Sequence, residues 1–533
     1  MSIRLSDLEK RIKVLSSHGP ADTAVGGLCY DSRKVHKGDL FFALPGVHTD
    51  GKIYIDAAIK AGAAAVIHEG SLDSYEPGVA YRQVESARFA MSPVSDEFYG
   101  RPSRSLKVFG VTGTEGKSTT VYLIYQLLKL SGRKAGFFST VNSDTGKGEE
   151  PNPEHQTTPE ATAVMRMLAT MRDSGLEYAV VESSSHGLSP RTNRLGDVAF
   201  DVSVFMNVTH EHLEFHGTWE QYRDDKANLF RDLDRYDHSK GGIQLPSFGV
   251  ACADDPSAPY FAAAARKPTY TFSSKGKPCD FEGAGIQSDA SGVSFTIVEH
   301  RAMKPASDPA GLTSAGRDGA AGGRSAAARI ELPGAFNVDN TLAALMAVSG
   351  LTGEDWESFL PLLPKLRPVK GRMTTLKAGQ PFEVIVDYAH TPSSFKTVFP
   401  PIRKRARGKM ICVFGSAGER DTEKRHEQGR IAADYFDIVI LTDEDPRGEV
   451  PMDILKEIAS GCPERVDGKD MYLIPDRPTA IKKAFTLAQK DDIVMLLGKG
   501  HENSIIYKDG PHPYDEISCA LSALASLGYK EKA

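Results

Sequence analysis

Residues 113–118 read Gly-Thr-Glu-Gly-Lys-Ser, and they follow an apolar run, Leu106 to Thr112, that has the composition of a buried strand. Glycines at 113 and 116 let backbone N–H groups approach an anion. Lys117 can reach the outer phosphates of a nucleotide, and the Ser118 hydroxyl can ligate Mg²⁺ at the start of a helix. A standard phosphate loop places its first glycine five residues before the second; here that position is Val111, so the loop is of the shortened type. The chemistry it points to is binding of a free nucleotide at a strand-to-helix turn.

Elements that would hold such a loop are legible along the chain. In the 533 residues, 40% are hydrophobic and 25% charged, which fits a globular protein of roughly three domains. The net charge of −6, without an aromatic-laced Lys/Arg stripe, speaks against nucleic acid. Cys29, Cys252, Cys279, Cys412, Cys462 and Cys519 have no CxxC pairing, which argues against zinc and a disulfide framework and for buried thiols in a reducing compartment. No apolar segment reaches the roughly 20 residues of a membrane span, so a cytoplasmic address without membrane insertion is expected. The N-terminal segment MSIRLSDLEKRIKVL carries its apolar residues at helical spacing.

Asp39 to Leu44 and Ala64 to His68 read as strands and Tyr54 to Ala61 as a helix, giving an N-terminal α/β unit over 1–102. A break at Tyr99 to Ser103 leads into a central unit over 103–367. Pro305 to Ala327, rich in Ala, Gly and Ser, reads as a surface insertion. Proline and glycine in Arg367 to Arg372 mark a second boundary, and a further α/β series fills 368–533. Apolar runs end at Glu182, Asn207, Gly415, Thr442 with Asp443, and Gly498; buried parallel strands give such runs. Ligands of open α/β sheets bind beyond the carboxyl ends of the strands, which makes these terminal residues the ones to weigh.

Three further strings narrow the chemistry: Glu182 to Leu188 (ESSSHGL), Met206 to Gly217 (MNVTHEHLEFHG) and Tyr222 to Phe230 (YRDDKANLF). A carboxylate at a strand end, a histidine after another strand and a phosphate-loop hydroxyl are ligand types that hold Mg²⁺ and a triphosphate together. With GTEGKS, these strings resemble the Mur ligases over essentially the whole chain. The resemblance implies a three-domain α/β architecture, with a central P-loop parallel-sheet domain and a C-terminal Rossmann-like domain. It also implies ATP-dependent amide formation through an acyl phosphate, adding a diamino acid as the third peptide residue to a UDP-muramoyl dipeptide. The enzyme would act as a monomer on small molecules, with Mg²⁺ as cofactor and ATP as co-substrate.

Carried over position by position, the resemblance makes Lys117, Glu182, His212 and a carbamylated Lys226 the catalytic set, with Ser118, Glu182, His212 and Lys226 serving the metal. His210 and His216 are nearby competitors for the histidine role, and Lys240 stands as a lysine outside the site. Nucleotide contacts fall on Gly113, Thr114, Glu115, Gly116, Lys117, Ser118, Thr119, Asn337, Asn340, Arg372, Asp387 and His390. The UDP-muramoyl dipeptide would meet Ser32, Gln156, Thr157, Thr158, Ser184 and Arg194. Arg420, Asp445, Pro446, Arg447, Gly498 and Glu502 would form the amino-acid pocket.

Two positions depart from the family's habit. Glu115 stands where many relatives carry asparagine. Asp445 replaces the asparagine of the diaminopimelate-type DNPR string: its charge would welcome lysine or ornithine, whereas Arg447 suits the distal carboxylate of diaminopimelate. Both readings stay open, and the bland one for 445–447 is a turn with an exposed ion pair. A folylpolyglutamate-synthetase-like ligase shares the loop and chemistry but would not need the N-terminal strings YDSR and GDLFFALPG. A non-ligase P-loop protein would not need the Lys226 segment.

Overall fold

A computed structural model describes residues 2–46, 50–152, 156–209, 213–289, 291–303, 323–419 and 421–530, with the side chains of 213 and 214 set aside. By packing, these residues divide into two units. The first comprises 1–284, 296–326 and 339–362; the second comprises 285–295, 327–338 and 363–533.

The first unit holds two large sheets and two short two-stranded ones. A five-stranded sheet runs Val14–His18, Ala80–Val84, Ala65–Glu69, Asp39–Phe42, Gly27–Cys29, and its last four strands are parallel. Helix Ala87–Phe98 covers one face, burying Ala87, Ala90, Met91, Val94 and Phe98 with Leu40, Phe42 and Ile67. The second sheet has a parallel centre ordered Ala135–Phe138, Tyr178–Glu182, Lys107–Thr112, Val202–Phe205, Phe248–Cys252, Thr269–Ser273. Lys107–Thr112 lies between Tyr178–Glu182 and Val202–Phe205, so the phosphate loop, Glu182 and Asn207 leave the same edge of three adjacent strands. Parallel register explains the near-continuous apolar runs, because both faces are covered by helices.

In the second unit, a six-stranded sheet is ordered Thr374–Leu376, Glu383–Asp387, Ile493–Leu497, Met410–Phe414, Ile438–Leu441, Met471–Leu473, with the first strand antiparallel. Helices Pro392–Arg405, Glu423–Tyr435 and Pro451–Ala459 pack on one face through Phe395, Phe399, Ile431 and Ile458. Helices Arg477–Leu487 and Glu516–Ser526 pack on the other through Ile481, Phe485 and Leu524. This is the doubly wound pattern expected of a Rossmann-like domain.

Three expectations are corrected. The N-terminal segment forms strand Ile3–Arg4, a five-residue helix Leu5–Glu9 and strand Val14–His18 rather than one helix. Pairing of Ile3 with Val25 and of Val14 with Val84 outweighs the local helical spacing. The insertion assigned to 305–327 lies mostly outside the described residues, but its end is ordered: Arg324–Ile330 is a strand. Arg324 pins its start, donating to Glu299 at 2.5 Å and Asp355 at 2.6 Å. Lys240, named as a lysine outside the site, is buried, with Nζ 2.5 Å from Asp201 Oδ2 and 2.5 Å from the Leu106 carbonyl. Cys29, Cys252, Cys412 and Cys462 are buried thiols, whereas Cys279 and Cys519 are partly exposed.

Within the first unit Arg11 donates to Asp96 at 3.3 Å and to Asp197 at 2.8 Å, tying helix Ala87–Phe98 to the turn at Asp197. Beyond this, burial pushes the Asp232 carboxyl up to about 7, opposed by Arg235 and Arg231 and reinforced by Asp197. The folded chain therefore binds more protons than the unfolded chain between about pH 4 and pH 7, and stability falls as pH rises through that window. Asp232→Asn removes this ionisation. Its melting temperature should match the parent's at about pH 3, below the window, and exceed it by roughly 2–4 °C per kcal/mol recovered at pH 8; an equal difference at both pH values contradicts the assignment.

Candidate active site

Gly116 turns the chain into helix Lys117–Leu130 with φ +84°, a left-handed conformation that suits glycine. A side chain there would also collide, since a Cβ would lie 2.7 Å from Asn340 Oδ1. The loop is held from the neighbouring strand end. Asn207 Oδ1 accepts from Thr114 N at 3.1 Å and Glu115 N at 2.8 Å, its carbonyl accepts from Thr114 N at 2.9 Å, and its Nδ2 donates to Glu115 O at 3.2 Å. Glu115, conspicuous as a residue type, is thus fixed through its backbone.

Glu182 ends its strand nearly fully buried, at 1% exposure. Its carboxylate accepts from Ser118 Oγ at 3.0 Å, Thr140 Oγ1 at 3.0 Å and Thr140 N at 2.8 Å. Lys117 Nζ donates to Thr114 O at 2.8 Å. Helix Trp219–Arg231 brings Lys226, also 1% exposed, to the loop's other side: Nζ donates to Gly113 O at 2.8 Å and sits 4.4 Å from the Tyr222 ring centre. The Tyr222 hydroxyl reaches Thr114 Oγ1 at 3.2 Å. Thr120 donates to Asn340 Oδ1 at 3.1 Å, so Asn340 lies behind the loop's helix. Thr119 is in that helix's first turn. His212 and its competitor His210 lie outside the described residues. His216 is engaged elsewhere, between Asp225 and Ser185.

Next to Glu182, Thr158 Oγ1 donates to the Glu182 carbonyl at 3.0 Å and lies 2.9 Å from Ser184 Oγ. Arg194 donates to Thr158 O at 2.8 Å and Glu160 at 2.9 Å. Thr157 is half-buried and Gln156 exposed, on the same segment. Ser32 opens a single turn, Ser32–Lys34, in the five-stranded-sheet part of the unit.

The remaining expected residues, Asn337 among them, belong to the second unit. Asp387 is buried and accepts from Met373 N at 2.7 Å and Ala389 N at 2.8 Å; burial raises its pKa against the pull of Arg372. The Arg372 guanidinium lies 4.6 Å from the Tyr388 ring centre, and His390 Nδ1 is 2.8 Å from Tyr388 O. Asn337 Nδ2 donates to Pro333 O at 2.8 Å. Gly498, at φ +94°, faces Glu444, because a Cβ there would be 3.2 Å from Glu444 Oε2.

Asp445 is buried rather than part of an exposed pair. It accepts from Lys499 Nζ at 2.8 Å and Ile506 N at 2.9 Å, and Lys499 also meets Glu502 at 2.5 Å. The negative charge that distinguishes EDPR is therefore already matched by an internal lysine. Arg447 follows Pro446 with φ +55°, its N donating to Ile506 O. Burial pushes the neighbouring Glu444 up to about 7. Arg420 lies outside the described residues.

Asn207, Thr140 and Tyr222 were not singled out from sequence as site residues. Asn207 alone carried a signal, as the polar end of an apolar run.

A shortened phosphate loop on a parallel sheet, with a carboxylate and a lysine converging on it and a doubly wound unit following, defines a nucleotide-using α/β enzyme. Comparison with known proteins gives the family. Residues 24–95 match the Mur ligase family catalytic domain, 111–348 the Mur ligase middle domain and 371–500 the Mur ligase glutamate ligase domain. A UDP-N-acetylmuramyl-tripeptide synthetase of Treponema denticola is 50% identical, covering 98% of this chain and 97% of its own. A UDP-N-acetylmuramoyl-L-alanyl-D-glutamate--2,6-diaminopimelate ligase of Geobacillus kaustophilus is 36% identical, covering 96% and 97%. A solved structure titled UDP-N-acetylmuramoyl-L-alanyl-D-glutamate--2,6-diaminopimelate ligase superposes with a TM-score of 0.63 at 27% identity, covering 99% of this chain and all of that one. The chain belongs to the Mur ligase family. It is an ATP-dependent, ADP-forming amide ligase. No helix among the described residues is long and apolar enough to cross a membrane.

Asn207→Ala removes three side-chain hydrogen bonds to the phosphate loop, each contributing about 0.5–1.5 kcal/mol. ATP affinity measured by calorimetry should fall by roughly tenfold or more, the equivalent of one such bond, while the fold is kept. Unchanged affinity would show that the loop holds its shape without Asn207.

Proposed function

We propose that this chain joins a diamino acid, as the third peptide residue, to the D-glutamyl carboxyl of UDP-N-acetylmuramoyl-L-alanyl-D-glutamate. A carboxylate is a poor acyl donor. Transfer of the ATP γ-phosphoryl group to the glutamyl oxygen gives an acyl phosphate and ADP. The incoming amine, having lost its proton, then attacks the acyl carbon, and collapse of the tetrahedral adduct releases inorganic phosphate. The single observation that supports this most is the convergence of Ser118, Glu182 and Lys226 on one phosphate loop. Near-full-length similarity to proteins named for this step supports the substrate.

Each residue's part follows from its position. Backbone N–H groups of 113–118 and Lys117 would cradle the triphosphate, and phosphoryl transfer depends mainly on such positioning and charge neutralisation. The oxygen donors of Ser118 and Glu182, buried together, fit a hard divalent cation. Ser118, Glu182, His212 and a carbamylated Lys226 would hold Mg²⁺, which supplies charge neutralisation at the transferring phosphoryl group. Carbamylation of Lys226 by CO₂ forms an N–C bond and releases two protons, turning a cation into an anion, and the remaining N–H can keep its bond to Gly113 O.

Residues 1–102, with Ser32, would take the uridine end of the acceptor, and Gln156, Thr157, Thr158, Ser184 and Arg194 its muramoyl peptide. The segment 103–367 would bind ATP, and Asn337, Asn340, Arg372, Asp387 and His390 would add contacts to the nucleotide. Arg420, Asp445, Pro446, Arg447, Gly498 and Glu502 would select the amino acid in 368–533, from lysine, ornithine or meso-diaminopimelate. We place the enzyme in the cytoplasm as a monomer. The match of residues 24–95 supports this acceptor over a folylpolyglutamate-type one.

Purified protein, ATP, Mg²⁺ and the UDP-muramoyl dipeptide should release phosphate only when one of the three diamino acids is added; no amino-acid-dependent release with any of them overturns the proposal. Lys226→Ala should lower turnover on the order of 1,000-fold, the scale of losing a transition-state charge contact, and exposed Lys482→Ala should leave it unchanged. Near-normal turnover of Lys226→Ala would remove that residue from the mechanism.

A further inference from the structure

Behind the phosphate loop lies a hydroxyl–imidazole–carboxylate relay. His216 Nδ1 is 2.7 Å from Asp225 Oδ2, and His216 Nε2 is 3.0 Å from Ser185 Oγ. All three are at most 4% exposed. The other Asp225 oxygen accepts from Gln221 Nε2 at 2.9 Å. An ionised carboxylate only accepts, so the Nδ1 proton belongs between His216 and Asp225; Nε2 of the neutral ring then accepts the Ser185 hydroxyl proton.

The arrangement is that of a serine hydrolase, but Ser185 is 2% exposed in the first turn of helix Ser185–Leu188, closed to an acyl donor. Its value lies in what it joins. Ser185 follows Ser184, whose Oγ meets Thr158, and Gly187 brings the same turn so close to Thr158 that a Cβ would be 2.6 Å from its methyl. Asp225 immediately precedes Lys226, held on Gly113 O. A second tie runs parallel, Asn228 Nδ2 donating to Leu188 O at 3.1 Å. The relay therefore links the turn expected to meet the acceptor to the helix that carries Lys226. Apolar packing keeps that helix against the sheet, and the buried, directional bonds select one rotation of it.

We propose that Ser185, His216 and Asp225 are positioning residues for phosphoryl transfer: the relay sets the rotation of helix Trp219–Arg231 and so the placement of Lys226 relative to the Ser184–Thr158 turn. This rests on the ligase reading above. Asp225→Asn tests it at constant volume. With Gln221 donating to the oxygen of the substituted amide, the amide nitrogen presents N–H to His216 Nδ1, which forces the opposite tautomer and turns Nε2 into a donor toward Ser185.

In protein labelled with ¹⁵N-histidine, the parent should show His216 protonated at Nδ1, and Asp225→Asn should show it protonated at Nε2. Turnover should fall on the order of 100-fold, the cost of a small misplacement of reacting groups, with KM for the amino acid and the melting temperature close to the parent's. Ser185→Ala, which deletes the hydroxyl without adding a donor, should lower turnover with the tautomer unchanged. Parental turnover in Asp225→Asn, or losses spread equally over all three KM values together with a lowered melting temperature in both variants, would overturn the proposal. A parent enzyme that ligates no diamino acid would instead overturn the functional reading, since the tautomer is read without substrate.

Discussion

Much of the central unit follows from the need to satisfy one buried carboxylate. Glu182 sits at the end of an interior strand, and an ionised carboxyl withdrawn from water requires donors on both oxygens. Ser118 supplies one from the phosphate-loop helix, and Thr140 supplies two from the end of the neighbouring strand. The two flanking elements are thereby drawn to a common point. What the apolar core provides is cohesion, and the carboxylate adds the address: three segments from different parts of the chain must meet within hydrogen-bond reach of one side chain.

The helix bearing Lys226 applies the same logic from the opposite side. Tyr222 and Lys226 face the loop, while Asp225 and Asn228 face the turn after Glu182. Residues three or four apart share a face of a helix and residues one apart do not, so one element can contact two partners. A displacement of this helix would be felt at the phosphate loop and at the turn after Glu182 together.

The parts of this architecture visible in sequence are those encoded locally. Apolar runs ending at 182, 414, 441 and 497 give strands because parallel strands covered on both faces need no polar alternation. The loop glycines and Lys117 follow from backbone geometry over six residues. Thr140 escapes notice because its significance lies in a partner roughly 40 positions away, and Asn207 shows only as the polar end of an apolar run, its loop partners lying roughly 90 positions away. Lys240 shows the same limit: nothing beside it reports that Asp201, 39 residues earlier, receives it in the interior. The N-terminal segment shows the converse, a local helical rhythm overridden by strand partners.

Charge in the second unit illustrates why a substitution cannot be interpreted from its sign alone. Asp445 adds a negative charge to the string that distinguishes this chain, but Lys499 lies between it and Glu502. The loops that carry them are fixed from below by Arg477, fully buried, which donates to Asp443 O at 3.0 Å and Leu497 O at 2.7 Å while paired with Glu516. Breaking a buried pair of this kind costs about 3–5 kcal/mol, so the carbonyl ends of two strands that lead into the pocket are held rigidly. The charges on these loops therefore form a preset pattern in which Lys499 offsets Asp445 and Glu502. Glu444 and Asp443 each keep one buried oxygen without a hydrogen-bond donor. The charge at 445 is accordingly a property of how neighbouring charged residues share partners, and the single exchange of asparagine for aspartate has meaning only through the lysine it contacts.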